Sequence, residues 1–186
     1  MLMRIFANIA GTVAIAMAVL GSACRADEFE AQVQICNGCH GENGIAVDAL
    51  TSTIWGQQSS YLYKQLHNYK SGERVSPIMT VIVKDMSLPD LRRLANHFAA
   101  KSWPAPTAHA PGAPPEGIGM CRACHQPNFE GGLPAPRLAG LSYDYLVASM
   151  RSFGTGERKN NLDMPAFMKT LSESQWEAMA KYLAGL

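Results

Sequence analysis

With 186 residues, 16 basic and 15 acidic, the chain is nearly neutral and long enough for one large domain or two small ones. It has no basic stripe, which excludes a nucleic-acid binder working through phosphate contacts. The 47% apolar content is inflated by a single run near the start.

Met1 to Arg4 forms a short head with one positive charge, and Ile5 to Leu20 contains no charged residue. Gly21, Ser22 and Ala23 follow, then Cys24, Arg25 and Ala26. Residues 1–26 therefore read as a secretory signal peptide, with cleavage after Ala23 or Ala26. The alternative is an uncleaved anchor helix, for which the run is somewhat short. A lipid on Cys24 is disfavoured, because Leu20 stands one position too far upstream. The expected destination is the periplasm, with membrane association only through a partner or an uncleaved N-terminus. Removing residues 1–26 takes away Arg4 and Arg25 and no acid, leaving one net negative charge.

"FEAQVQICNGC" reads as a short helix running into a cysteine motif. "SSYLYKQLHNY" has helical spacing, as does "SLPDLRRLANHFAA", with Leu88, Leu91, Leu94, Ala95 and Phe98 on one face. Ser87 is a good N-cap, with Pro89 and Asp90 in the first turn. "TVIV" is better read as the approach to that helix than as a strand. Prolines 104, 106, 111, 114 and 115 then crowd a Pro/Ala-rich linker over 103–115. Beyond it come a second cysteine motif, "SYDYLVASMRSF" and "SESQWEAMAKYLAGL", both helical in pattern.

The two cysteine motifs are Cys36, Cys39, His40 and Cys121, Cys124, His125, each reading Cys-x-x-Cys-His. Cys36 and Cys121 are 85 residues apart, as are Met79 and Met164, and Ser87 and Ser172. "YKSGER" (Tyr69–Arg74) and "FGTGER" (Phe153–Arg158) repeat at 84, as do Tyr61 and Tyr145. An internal duplication accounts for these offsets and predicts two small domains, 27–102 and 116–186. Domains of this size have little core of their own. A large apolar group held covalently in each would supply what is missing.

Cys-x-x-Cys-His is the attachment pattern of c-type haem. Two thioether bonds fix the edge of one macrocycle, and the adjacent histidine reaches the iron. Zinc ribbons place their cysteine pairs much closer together, and a redox dithiol has no need of the histidine. The expectation is two covalent haem c groups, held by Cys36 and Cys39 and by Cys121 and Cys124. His40 and His125 would be axial ligands. The four motif cysteines leave none for a structural disulfide.

For the sixth position, methionine opposite histidine raises the potential of haem iron. Met79 and Met164 each lie 39 residues beyond their histidine, just ahead of a helix cap. Met86 and Met168 are the competing candidates. His67 and His97 correspond to Arg151 and Tyr182 in the other half, so neither repeats as a ligand should. His109 lies in the linker.

The whole mature chain resembles the two-haem class I cytochromes c of the cytochrome c4 type. The resemblance rests on "CNGCHGENG", "YLYKQLHNYKSGER", "CRACH", "PRLAGLSYDYL", "GERKNNLDM" and "LSESQWEAMAKYLAGL". It implies an all-α fold of two tandem class I cytochrome c domains, each around one His/Met haem. It also implies that the Pro136 carbonyl holds His125 and that Arg137 lies near a propionate. The corresponding "STIWG" (Ser52–Gly56) has neither proline nor arginine, so the two haems should differ in environment.

With both axial positions filled, neither iron has a site for substrate. The expected role is an exported one-electron carrier in a respiratory or related electron-transfer chain, not an enzyme. Its donor and acceptor would be redox proteins, such as an oxidase, a cytochrome complex or a flavoprotein dehydrogenase. The alternative is a haem subunit of a dehydrogenase. The first half also resembles the cytochrome subunit of flavocytochrome c sulfide dehydrogenase.

Overall fold

The computed structural model describes residues 27–104 and 112–186. The expected signal peptide, the central part of the linker and His109 lie outside them. The chain divides into two compact units, residues up to 38 and residues from 39 onward. Helix α1 occupies 27–40 and contains the first cysteine motif. The second unit continues with α2 (Ser59–Ser71), α3 (Met79–Val83) and α4 (Leu88–Ala99). After the linker come a 3-10 turn (Ile118–Cys121), α5 (Arg122–His125), α6 (Tyr143–Gly154), α7 (Asp163–Met168) and α8 (Glu173–Ala184). Among the described residues there is no β-strand, only an isolated bridge between Gly132 and Ala135. The fold is all-α, and α6, α7 and α8 repeat the order of α2, α3 and α4.

Local chemistry explains the boundaries. The Ser87 hydroxyl accepts the Asp90 amide and Ser142 accepts that of Tyr145. At α8, Ser172 and Gln175 form a reciprocal capping box. Helix α2 stops at Gly72, whose φ of 84° is left-handed and costs a glycine little. Gly156, its equivalent in the second repeat, has φ 80°. "TVIV", read as the approach to a helix, lies within α3 itself. A run of four residues is too short for its period to separate these readings.

Helix α2 packs on α4 and on α3, and α6 packs on α8 and α7. Leu62, Val83, Leu91, Leu94, Ala95 and Phe98 are buried in the first repeat. In the second, Phe129, Leu146, Met150, Phe153, Met179 and Leu183 form one core cluster. Both leave apolar side chains outside. Val75 is 82% exposed, Ile78 65% and Leu162 92%.

Candidate haem-binding sites

In both repeats the helix carrying the cysteine motif ends at its histidine, and the next residue turns the chain at positive φ. That residue is Gly41 (φ 85°) in the first repeat and Gln126 (φ 72°) in the second. The chain then returns a loop to the ring nitrogen facing away from the ligand position. His40 Nδ1 donates to the Ser52 carbonyl at 2.7 Å. His125 Nδ1 donates to the Pro136 carbonyl at 2.8 Å. Each bond fixes the tautomer and leaves the Nε2 lone pair available to a metal. Burial lowers both imidazole pKa values, opposed at His40 by Ser52 and Asp48 and at His125 by Pro136. The absence of proline from "STIWG" therefore costs His40 nothing, because the acceptor is a backbone carbonyl.

None of Cys36, Cys39, Cys121 and Cys124 is in a disulfide, and Cys39 and Cys124 are exposed. The motif methionines are held alike at their backbones. Met79 N–H donates to Ser76 Oγ at 3.2 Å, and Met164 N–H to Asn161 Oδ1 at 2.7 Å. Ser76 and Asn161 are 85 residues apart, so this turn repeats with the methionine. Met79 and Met164 are half-buried, whereas Met168 is 4% exposed within the second core. A methionine already packed on all sides is poorly placed to ligate.

The residues present fit haem. Each motif supplies two cysteines outside any disulfide and an imidazole whose pKa burial lowers. The indole Nε1 atoms of Trp55 and Trp103 are buried without an acceptor. Two interior arginines also lack a carboxylate partner. Among the described residues the ion pairs are Lys84–Asp85 and Arg151–Glu173, neither involving Arg74 or Arg158. Buried cations and donors of this kind call for an acidic ligand group, and haem carries two propionates.

Those arginines belong to the repeated "GER". After the left-handed glycine, Arg74 N–H returns to the Asn68 carbonyl at 3.0 Å and Arg158 N–H to Ser152 at 2.8 Å. Each guanidinium lies over an aromatic ring of its own repeat, Arg74 on Tyr69 and Arg158 on Phe153. Each then crosses to the other repeat. Arg74 Nη2 reaches Tyr145 Oη at 3.4 Å, and Arg158 Nη2 reaches Tyr61 Oη at 3.2 Å. Both also donate to Gln65 Oε1 at 2.9 Å, joined there by Asn160 Nδ2 at 2.9 Å. Burial raises the Tyr145 phenol pKa, but Arg74 and Arg158 outweigh it and bring the value down to about 7. The Tyr69 phenol is pushed up to about 12, chiefly by burial. The "GER" and tyrosine repeats are visible in the sequence, but their crossing is not.

Gly56 and Gly140, equivalent in the two repeats, both lie against Trp103. A Cβ on Gly56 would come within 2.8 Å of the Trp103 nitrogen, and one on Gly140 within 2.9 Å of its indole Nε1. Arg137, expected near a propionate, lays its guanidinium over the Trp103 ring at 4.5 Å and donates from Nε to the Ala139 carbonyl at 3.0 Å. His67 stacks obliquely with Tyr63, and His97 sits edge-on to Phe98.

The profile of the cytochrome c family matches residues 119–186. Cytochrome c4 of Pseudomonas aeruginosa is 30% identical over 173 residues, covering 84% of this chain and 86% of that protein. A thiosulfate dehydrogenase electron acceptor of Stutzerimonas stutzeri is 30% identical, covering 81% of this chain and 78% of its own. The solved structure of reduced cytochrome c4 from Pseudomonas stutzeri superposes with a TM-score of 0.73 at 25% identity. It covers 87% of this chain and 98% of that one.

Proposed function

Because this chain belongs to the two-haem cytochromes c of the cytochrome c4 type, we propose that it is an exported one-electron carrier with His/Met ligation at both irons. It is a di-haem electron-transfer cytochrome and works with redox partners. In the proposal, Cys36 and Cys39 hold one haem and Cys121 and Cys124 the other, in domains spanning 27–102 and 116–186. His40 and Met79 would be axial at the first iron, His125 and Met164 at the second. The observation that carries this reading is the repeated site geometry. Each histidine is held by a backbone carbonyl through Nδ1, and each methionine follows a side-chain-capped turn at the same distance along the chain.

Haem supplies reversible one-electron chemistry. The protein's contribution is to hold each imidazole in one tautomer, to exclude water with the two cores, and to set the local charge. Arg74 and Arg158 would present cationic groups to haem carboxylates, and Trp55 and Trp103 would offer indole donors.

The periplasm is the proposed location, from the signal-like residues 1–26. No helix among the described residues is long and apolar enough to cross a membrane. A dehydrogenase is the proposed donor. The relative named as a thiosulfate dehydrogenase electron acceptor supports a sulfur-oxidising enzyme in that place. A haem count on the purified protein, with a potentiometric titration, tests the core of the proposal. Two covalent haems per chain and two one-electron waves are expected, and a single haem would refute it. Reduction of the protein by thiosulfate in the presence of a thiosulfate dehydrogenase, but not without it, would identify the donor class.

A further inference from the structure

Gln57 is 3% exposed, lies in the first repeat, and reaches the second with both ends of its amide, its Oε1 also accepting the Gln58 N–H at 3.0 Å. Its Nε2 donates to the Arg137 carbonyl at 3.0 Å, and its Oε1 accepts the Arg137 N–H at 2.8 Å. Arg137 directly follows Pro136, whose carbonyl accepts His125 Nδ1–H. On its other side the loop is tied within its own repeat, Leu138 and Ala139 both donating to the Phe129 carbonyl at 2.8 and 3.1 Å. The Pro136 carbonyl is thus fixed between an anchor in its own half and an amide clamp from the other.

The clamp runs one way. The residue equivalent to Gln57 in the second repeat is Leu141, which has no polar side-chain atom to return the contact. The His40 loop is met from the second repeat only farther from its acceptor, the Ser142 hydroxyl donating to the Ala49 carbonyl three residues before Ser52. The His125 loop, by contrast, is gripped at the peptide next to Pro136.

We propose that Gln57 is a positioning residue through which the first repeat sets the redox poise of the second haem. A Pro136 carbonyl held hard against Nδ1–H makes the imidazole a stronger donor and favours the oxidised iron. Loosening it favours reduction. The proposal rests on His125 being the axial ligand, and the test separates the two.

The measurement is an NMR-monitored redox titration of the haem-loaded protein. In the wild type, a hyperfine-shifted exchangeable His125 Nδ1 proton establishes ligation. Gln57→Met keeps the length and removes both hydrogen bonds to Arg137, together with the local one from Gln58 N–H. It should speed exchange of that proton and shift the reduction equilibrium of the haem bearing it about threefold to tenfold toward reduction. At 59 mV per tenfold for one electron, that is about 30–60 mV upward. The other haem should not move. Gln58→Ala removes a different contact across the repeats, to the Glu130 carbonyl at 3.5 Å, and should leave both potentials in place. An unchanged second haem in Gln57→Met, or equal shifts of both haems, overturns the proposal and leaves ligation standing. A wild-type spectrum without the His125 resonance overturns both.

Discussion

Replacing Gln65 by leucine removes the acceptor on which both "GER" arginines converge. Gln65 is 7% exposed, and its Oε1 receives Arg74 Nη1, Arg158 Nη2 and Asn160 Nδ2, each at 2.9 Å. Hydrogen bonds from charged donors contribute about 1.5–3 kcal/mol each and a neutral one about 1 kcal/mol. The three share one oxygen and do not add fully, so the expected loss is about 3–5 kcal/mol. Urea unfolding of the haem-loaded protein, followed by tryptophan fluorescence, reads this directly. With a slope of roughly 2–3 kcal/mol per molar, the midpoint should fall by about 1–2.5 M. Gln65→Glu should behave oppositely, because a carboxylate there neutralises two guanidiniums and loses no bond made by Oε1. Its pKa would be depressed below the ordinary Glu value of about 4.3. The added stability would then be full above that value and lost as pH falls through the folded-state pKa. A Gln65→Leu protein weakened by less than about 1 kcal/mol would refute the reasoning, since the arginines would then be satisfied by another acceptor.

Met79→Ala and Met164→Ala should each lower the potential of one haem and leave the other nearly unchanged, as read by potentiometry. They should also remove half of the weak His/Met absorbance near the red end of the oxidised spectrum. Gly131→Ala should cost several kcal/mol by the same urea assay (~3 kcal/mol or more). Its φ is 76°, and a Cβ there would lie 2.3 Å from Arg137 N and 2.5 Å from the Pro136 carbonyl carbon. Ser52→Ala should leave the first haem's potential within error of wild type, because His40 is held by the Ser52 backbone carbonyl and not by its hydroxyl.

The sequence patterns reached the fold through α2, α4, α6 and α8, whose apolar spacing and serine caps are local signals. They missed the helical state of α3, and α5 and α7 were not anticipated as helices. These are pieces of four to six residues, whose conformation depends on what they pack against. At the candidate site, the two cysteine motifs and their histidines stand out in the sequence because attachment chemistry demands contiguous residues. Ser76 and Asn161 were legible in principle, as polar residues at the same offset as the methionines they precede. Gln57 and Gln65 were not. Neither has a polar-amide counterpart in the other repeat, Leu141 and Ser149 standing in their places. Their roles exist only when two distant segments meet.

That difference points to how a duplicated chain becomes one device. The repeated residues, "GER" and the two tyrosines, exchange partners across the halves in a nearly symmetric way, Arg74 with Tyr145 and Arg158 with Tyr61. A symmetric exchange tunes both sites alike. The unrepeated residues break it. One glutamine carbonyl serves both arginines, because only one acceptor is provided where the two guanidiniums converge. One glutamine clamp acts on the His125 loop beside Pro136, where the His40 loop receives from the other half the Ser142 hydroxyl on Ala49, three residues from its acceptor. Two haems give a carrier a direction only if their surroundings differ, and these singular glutamines concentrate the asymmetry where the two halves touch.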